Sequence, residues 1–354
     1  MRILYGVQGT GNGHITRARA MAEALQGTGA EVDWLFSGRP ADKLFDMAEF
    51  GNYRVLKGLT FTVRKGRIDA LSTLKKASLR QLWRDIRELD VNAYDLILSD
   101  YEPVVAWSAR RAGKECIGIG HQYAFAHKIH KAGHNMVSES LMRWFAPVSL
   151  GLGVHWHHYD SNILPPIIEP LGALSTGEPR TVLVYLPFEE ANAVMSLLHS
   201  FTEWQFIVHT DQFPEGQIAN VEVKGFSRDG FQASLAKCSR VICNAGFELA
   251  SESLALGKGL LVKPVQGQME QVSNALALAE LGLGAAMQTL DRDRVDAFLH
   301  DSTPVQGKYP NVAQSLANWL TTGREEPIEH LVERLWASVD YQATQTESAP
   351  LCTP

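Results

Sequence analysis

The stretch RVICNAGFELASESLALGKGLLVKPVQGQMEQVSNA, residues 240–275, reads as strand, tight turn, helix, strand, loop and helix. Val241, Ile242 and Cys243 form a short apolar run that stops at Asn244-Ala245-Gly246, and an amphipathic segment follows from Phe247 to Leu256. Gly246 therefore falls where a strand meets a helix N-terminus. Such a junction offers unpaired backbone N–H groups and the positive end of a helix dipole, which together hold a phosphate without a lysine. Glu248 and Glu252 are four apart and share a helix face, where two carboxylates repel unless ribose or sugar hydroxyls engage their lone pairs. Leu260 to Lys263 reads as a second buried strand ended by Pro264. Gln266, Gln268, Glu270, Gln271 and Asn274 then supply more polar groups than a connecting loop needs. Spacing alone leaves two readings open, an ordinary strand-helix unit with a polar helix start or half of a nucleotide site.

The order G-x4-S-E, a proline at the next strand end, then E-Q-x-x-N-A resembles the donor site of GT-B glycosyltransferases. It is most similar to the peptidoglycan UDP-N-acetylglucosamine transferase type (family 28) and the UDP-glycosyltransferases, with uncharacterised bacterial and archaeal members among them. The resemblance implies that Glu252 binds both ribose hydroxyls, that Glu270 and Gln271 read donor-sugar hydroxyls, and that Gly246 is the phosphate-loop glycine. It also implies that Phe226-Ser227 presents backbone to uracil. Asn244, Phe247, Glu248 and Gln268 complete the expected donor site. One departure stands out: the glycine- and serine-rich loop of the peptidoglycan enzyme is replaced here by Leu186-Pro187-Phe188-Glu189.

A chain of 354 residues suits two domains of ordinary size, and 45% hydrophobic content supports well-packed cores. No run of eighteen apolar residues occurs, and Met1-Arg2 leads directly into a strand with no signal-like segment, so a cytoplasmic protein is expected. Cys116, Cys238, Cys243 and Cys352 lack C-x-x-C spacing, which argues against a zinc site or a disulfide framework. Residues 1–160 carry 21 Lys and Arg against 16 Asp and Glu, whereas the remainder carries 12 against 23. A basic first half suggests an anionic acceptor or surface, and an acidic second half is tolerable where amides hold the phosphate.

Arg2 to Val7 reads as a strand, followed by Gly9-Thr10-Gly11-Asn12-Gly13-His14 and a helix from about Ile15 to Leu25. His14 falls where a third glycine would complete a dinucleotide fingerprint, so that fingerprint is incomplete here. With Arg17, this loop resembles the N-terminal signature of GT-B enzymes, which lies under the interdomain cleft; Gly11, Asn12, Gly13 and Arg17 are its cleft residues. An imidazole titrates near neutral pH, which makes His14 the candidate base; the other reading is that it caps the helix or binds phosphate. In the UDP-glycosyltransferases the matching histidine is the base. Tyr94 to Ser99 reads as a buried strand with Asp100 at its carboxyl end, and some of those enzymes pair the histidine with such an aspartate. A further strand, Cys116 to Gly120, delivers His121-Gln122 to the same edge.

Residues 54–87 hold ten Lys and Arg (Arg54, Lys57, Arg64, Lys65, Arg67, Lys75, Lys76, Arg80, Arg84 and Arg87) against Asp69 and Asp85. They form either a solvated face or a contact with an anionic acceptor or membrane leaflet. His127, His130 and His134 share helical spacing, but no cysteine or carboxylate joins them, and no metal is expected. Met136 to Leu152 is apolar, either core or a lipid-docking face. No nucleic-acid motif appears.

The resulting expectation is an α/β chain of GT-B architecture, two Rossmann-like domains facing across a cleft. Residues 1–163 bind acceptor, 164–178 form a proline-stiffened linker, 179–325 bind nucleotide sugar, 326–340 form a helix crossing back, and 341–354 are disordered. The resemblance implies an inverting transfer of a hexose or N-acetylhexosamine from a UDP-sugar to a hydroxyl acceptor such as an envelope lipid or glycan. His14 is the base and Asp100 its orienting partner, with no cofactor beyond the UDP-sugar substrate. The rivals are a UDP-sugar 2-epimerase of the same fold and an NADP oxidoreductase using the glycine loop and Arg39.

Overall fold

Strands that bury both faces read as unbroken apolar runs, and such runs assemble into parallel sheets covered by helices on each side. Ile3, Leu4, Tyr5 and Val7 in one sheet, and Val182, Leu183 and Val184 in another, are fully buried. The computed structural model describes residues 1–59, 63–64, 67–68, 79–133, 136–170 and 177–344.

The first sheet has seven strands in the order Tyr53–Leu56, Glu31–Ser37, Arg2–Gln8, Leu96–Asp100, Ile117–Gly120, Leu150–Val154 and Ile163–Leu164, all parallel. The second also has seven, in the order Gly216–Ile218, Val221–Lys224, Gln205–His209, Glu178–Tyr185, Cys238–Asn244, Gly259–Lys263 and Ala285–Ala286. Only its first, edge strand runs antiparallel. In each sheet the chain begins in the middle, winds to one side, then returns and winds to the other. Each therefore has a switch point beside its first strand, where doubly wound sheets bind ligands at the strands' carboxyl ends.

The two halves share one core. Met21 and Leu25 of the Asn12–Gln26 helix, Leu254 of the Phe247–Ala255 helix, and Leu316, Leu320, Leu331 and Leu335 near the C-terminus belong to a single apolar cluster. The Ile328–Trp336 helix lies against the last strand of the first sheet, where Trp336 Nε1 donates to Ile163 O at 2.7 Å.

Two segments differ from expectation. Residues 341 onward were expected to be disordered, yet Asp340–Ala343 pairs antiparallel with Val305–Lys308. Tyr341 anchors it: its ring turns inward and its hydroxyl donates to Trp156 O at 2.8 Å. Residues 345–354 lie outside the described residues. The proline-rich run expected as a linker begins inside the fold, since Leu164 is a strand residue and Ile167 is fully buried. In the basic segment, the Leu79–Glu88 helix buries Leu82 and Ile86 and exposes Arg80, Arg84 and Arg87; Lys65, Asp69, Lys75 and Lys76 lie outside the described residues. The apolar segment from Met136 divides, with Phe145 in the core and Trp144 48% exposed.

Gly153 touches the turn that carries His121. A Cβ there would sit 2.5 Å from Ala124 N and Cα, a backbone clash that side-chain rotation cannot relieve. Gly153→Ala is expected to lower unfolding free energy by roughly 1–3 kcal/mol, read from the midpoint of urea denaturation; an unchanged midpoint would contradict this packing.

A candidate interdomain active site

At the first switch point, the strand ending at Asp100 turns sharply through Tyr101, whose φ is +53°. Glu102 fixes that turn. Its buried carboxylate accepts from Val104 N at 2.9 Å, Val105 N at 2.6 Å and the Ser37 hydroxyl at 2.6 Å, capping the Pro103–Arg111 helix. Burial pushes its carboxyl up to about 7 against those hydrogen bonds. Asp100, wholly buried, faces the Asn12–Gln26 helix, where His14 and Arg17 lie three residues apart on one face.

His14 Nδ1 stands 2.7 Å from Asp100 Oδ1. Arg17 donates Nε to Oδ2 at 2.8 Å and Nη2 to Oδ1 at 2.6 Å. Burial raises the Asp100 pKa, but Arg17 and His14 outweigh it and hold the carboxyl below its usual range. An ionised Asp100 can only accept, so Nδ1 carries the proton and the Nε2 lone pair is left without a partner among the described residues. His14 is partly exposed while Asp100 is not. That arrangement leaves Nε2 as the ring nitrogen open to a ligand.

Arg17 also crosses to the second domain and donates Nη1 to Glu248. The guanidinium thus takes one oxygen of Glu248, which was expected to read hydroxyls with Glu252, and leaves Oε2 without a partner. Gly13 permits the approach: a Cβ there would meet Glu248 Cγ at 2.7 Å. Other expected site residues also serve the domain contact. His121 is buried, its Nδ1 donates to Val154 O at 2.8 Å, its Nε2 lies 2.6 Å from Asn274 Oδ1, and its ring stacks on Phe247 at 4.1 Å. It does not face an acceptor. Gln122 donates to both oxygens of Glu270 at 3.2 and 3.1 Å, and Asn12 meets Tyr185 Oη at 3.5 Å. Gly11 precedes the first helix with no side-chain cap.

At the second switch point, Gly246 precedes the Phe247–Ala255 helix, again with no side-chain cap, and a Cβ there would meet nothing within 4 Å. Glu252 lies on that helix, 4% exposed, with no hydrogen-bond partner among the described residues. Burial, then Glu248 and Glu169, push its carboxyl up to about 8 despite Arg19 and Arg228. Phe226 is 45% exposed beside Tyr185, and Ser227 caps the Arg228–Lys237 helix by accepting from Gly230 N. Gln268 precedes the Met269–Glu280 helix and is partly exposed. Gln271 Oε1 accepts from Val265 N at 2.9 Å and holds the loop, which leaves its Nε2 as the group that could donate to a ligand. Asn244 Nδ2 donates to Lys263 O at 2.9 Å and lies 3.4 Å from Glu189 Oε1.

Two groups escaped the sequence reading. Lys263 Nζ donates to Glu189 Oε1 at 2.7 Å, both side chains nearly buried; the lysine ending a strand beside the atypical loop was the available signal. Arg228 joins Glu49 and Glu169, each at 2.8 Å, across the domains next to Glu252, and nothing local in the sequence indicates this. No group of three His, Cys, Asp or Glu among the described residues is arranged to hold a metal ion. His130 pairs instead with Glu280, and His134 lies outside the described residues.

Two doubly wound domains with facing switch points define a GT-B glycosyltransferase. The glycosyl transferase family 1 profile matches residues 1–303, and the chain belongs to that family. An uncharacterised glycosyltransferase of Methanosarcina mazei is 25% identical over 342 residues, covering 82% of this chain and 87% of that protein. Among solved structures, the spinosyn rhamnosyltransferase SpnG complexed with thymidine diphosphate aligns with TM-score 0.57 at 14% identity, covering 95% of this chain and 96% of that one. MurG of Acinetobacter baumannii aligns with TM-score 0.52 at 15% identity, covering 95% and 100%. No helix among the described residues is long and apolar enough to cross a membrane.

Glu252 makes the site's electrostatics measurable. Its folded carboxyl titrates near 8, above the ordinary 4.5, so the folded state binds the extra proton and stability falls as pH rises from about 4.5 to 8. Glu252→Gln should flatten that decline by up to about 1.4 kcal/mol per pH unit, measured by denaturation at pH 5, 6, 7 and 8. An unchanged slope would place the burden elsewhere.

Proposed function

We propose that this glycosyltransferase moves a hexose or N-acetylhexosamine from a UDP-sugar to a hydroxyl of an envelope lipid or glycan, with inversion at the anomeric carbon. The observation that carries the reading is the His14–Asp100 pair at 2.7 Å, with Nε2 left free at the domain interface. Nε2 takes the acceptor proton as the acceptor oxygen bonds to the anomeric carbon and the bond to the diphosphate breaks. The leaving UDP gathers its charge at the open helix start beyond Gly246. Glu252, unpartnered and adjacent, takes the ribose hydroxyls, and Glu270, Gln271 and Gln268 engage the sugar. That a protein of this fold is complexed with thymidine diphosphate supports a nucleoside diphosphate here.

Arg39 is engaged by Asn12 Oδ1 and Thr10 O, each at 2.8 Å, which disfavours the NADP reading. The 2-epimerase alternative differs in needing no acceptor. His14→Ala should lower turnover by about 10²–10⁴-fold while calorimetry shows UDP binding retained. Turnover at the wild-type level would remove His14 as base, and sugar conversion without any acceptor would favour the epimerase.

The proposed acceptor would be met at the inner face of the plasma membrane. On the first domain, exposed Trp83 shares a helix with exposed Arg80, Arg84 and Arg87, and exposed Trp144 follows exposed Arg143 and has Arg110 4.8 Å from its ring. Aromatic and basic groups together suit an anionic lipid interface. The protein should sediment with phosphatidylglycerol vesicles at low salt and be released at high salt. Failure to sediment at low salt would exclude the membrane contact.

A further inference from the structure

The Leu186-Pro187-Phe188-Glu189 loop, where this chain departs from the resemblance, follows the first strand of the second sheet and so borders its switch point. Its carboxylate is the partner of a nearly buried lysine. Lys263 ends the Gly259–Lys263 strand in register with Asn244, and its ammonium, 5% exposed, donates to Glu189 Oε1 at 2.7 Å. Asn244 Nδ2 stands 3.4 Å from the same oxygen, and the open helix start at Gly246 lies two residues beyond Asn244. A carboxylate oxygen is thus seated on an ammonium and an amide at the strand ends where a donor diphosphate is expected.

We propose that Glu189 is an internal stand-in for the donor diphosphate: in the ligand-free chain it occupies the anion site of Lys263 and Asn244, and the incoming diphosphate displaces it. The inference rests on the nucleoside-diphosphate reading above. A buried ion pair contributes little net stability, because desolvation offsets the attraction, so the pair has a weak claim to being structural cement. A diphosphate brings more charge than a carboxylate and also engages the backbone N–H groups of the Phe247–Ala255 helix, which Glu189 does not reach. Two anions at one ammonium repel, so the diphosphate wins the lysine and the loop carrying Glu189 moves outward. The exchange also explains how this chain dispenses with a glycine- and serine-rich phosphate loop: Lys263 supplies the charge that such a loop supplies through amides.

Calorimetric titration of the whole chain with UDP, UMP and uridine tests this. Glu189→Gln removes the competing charge and keeps the shape, so its UDP affinity should rise about tenfold over wild type while uridine affinity stays unchanged. Lys263→Met alone strands a buried carboxylate and is liable to unfold, so it is combined with Glu189→Gln. That double variant should lose about tenfold or more in UDP affinity relative to Glu189→Gln alone, again without change for uridine. Unchanged or weakened UDP binding by a cooperatively folding Glu189→Gln would overturn the inference and leave the proposed function intact. Failure of the wild type to bind UDP or thymidine diphosphate at all would overturn both.

Discussion

The guanidinium of Arg17 is the constraint on which the site depends. It is almost fully buried between Asp100 of the first domain and Glu248 of the second. A guanidinium stays charged at any ordinary pH, so burying it demands carboxylate partners with matching geometry. Asp100 supplies both oxygens and in doing so is held ionised, which fixes the proton on His14 Nδ1. Glu248 takes the remaining edge. Two carboxylates on one cation leave a surplus negative charge, and the relief falls on Glu248: burial pushes its carboxyl up to about 7 even against Arg17, and its Oε2 has no partner. The orientation of the candidate base in one domain is therefore tied to the seating of the other.

That tie explains why so many polar residues at the interface point at each other. His121 bridges to Asn274 and stacks on Phe247, Gln122 reaches Glu270, and Trp156 donates to Ser251. Each pairs a side chain from the first sheet's carboxyl edge with one from a helix of the second domain. Buried polar groups need partners, and in a two-domain cleft the nearest partners belong to the opposite wall. The shared apolar cluster brings these walls together, and the polar pairs fix their register.

What the sequence reveals and conceals follows from range. The two parallel sheets were legible because buried strands announce themselves as apolar runs, and strand ends mark the switch points; Asp100 and Gly246 are visible for that reason. The proximity of His14 to the GT-B signature was legible from the motif. The partners were not. Glu248 and Glu252 look alike on a helical wheel, and only the fold, by bringing Arg17 across 231 residues, separates an engaged carboxylate from a free one. Tyr341 likewise lies in a polar, tail-like context, and its strand exists only because Trp156 and Val305–Lys308 are waiting for it.

The acidic balance of the second domain looks ill suited to an anionic donor, but several carboxylates near the switch point lie against a guanidinium or an ammonium. Glu248 is engaged by Arg17, Glu169 by Arg228 and Glu189 by Lys263. Glu252 has no such partner among the described residues, and burial, with Glu248 and Glu169 nearby, pushes its carboxyl up to about 8, which favours the protonated form at neutral pH. Under the proposed function, ribose hydroxyls donating to Glu252 would favour its ionised form, so donor binding is coupled to loss of a proton from the very group that reads the nucleotide. Under that reading Glu252 adds little negative charge before the diphosphate arrives and becomes a charged acceptor as the ribose binds.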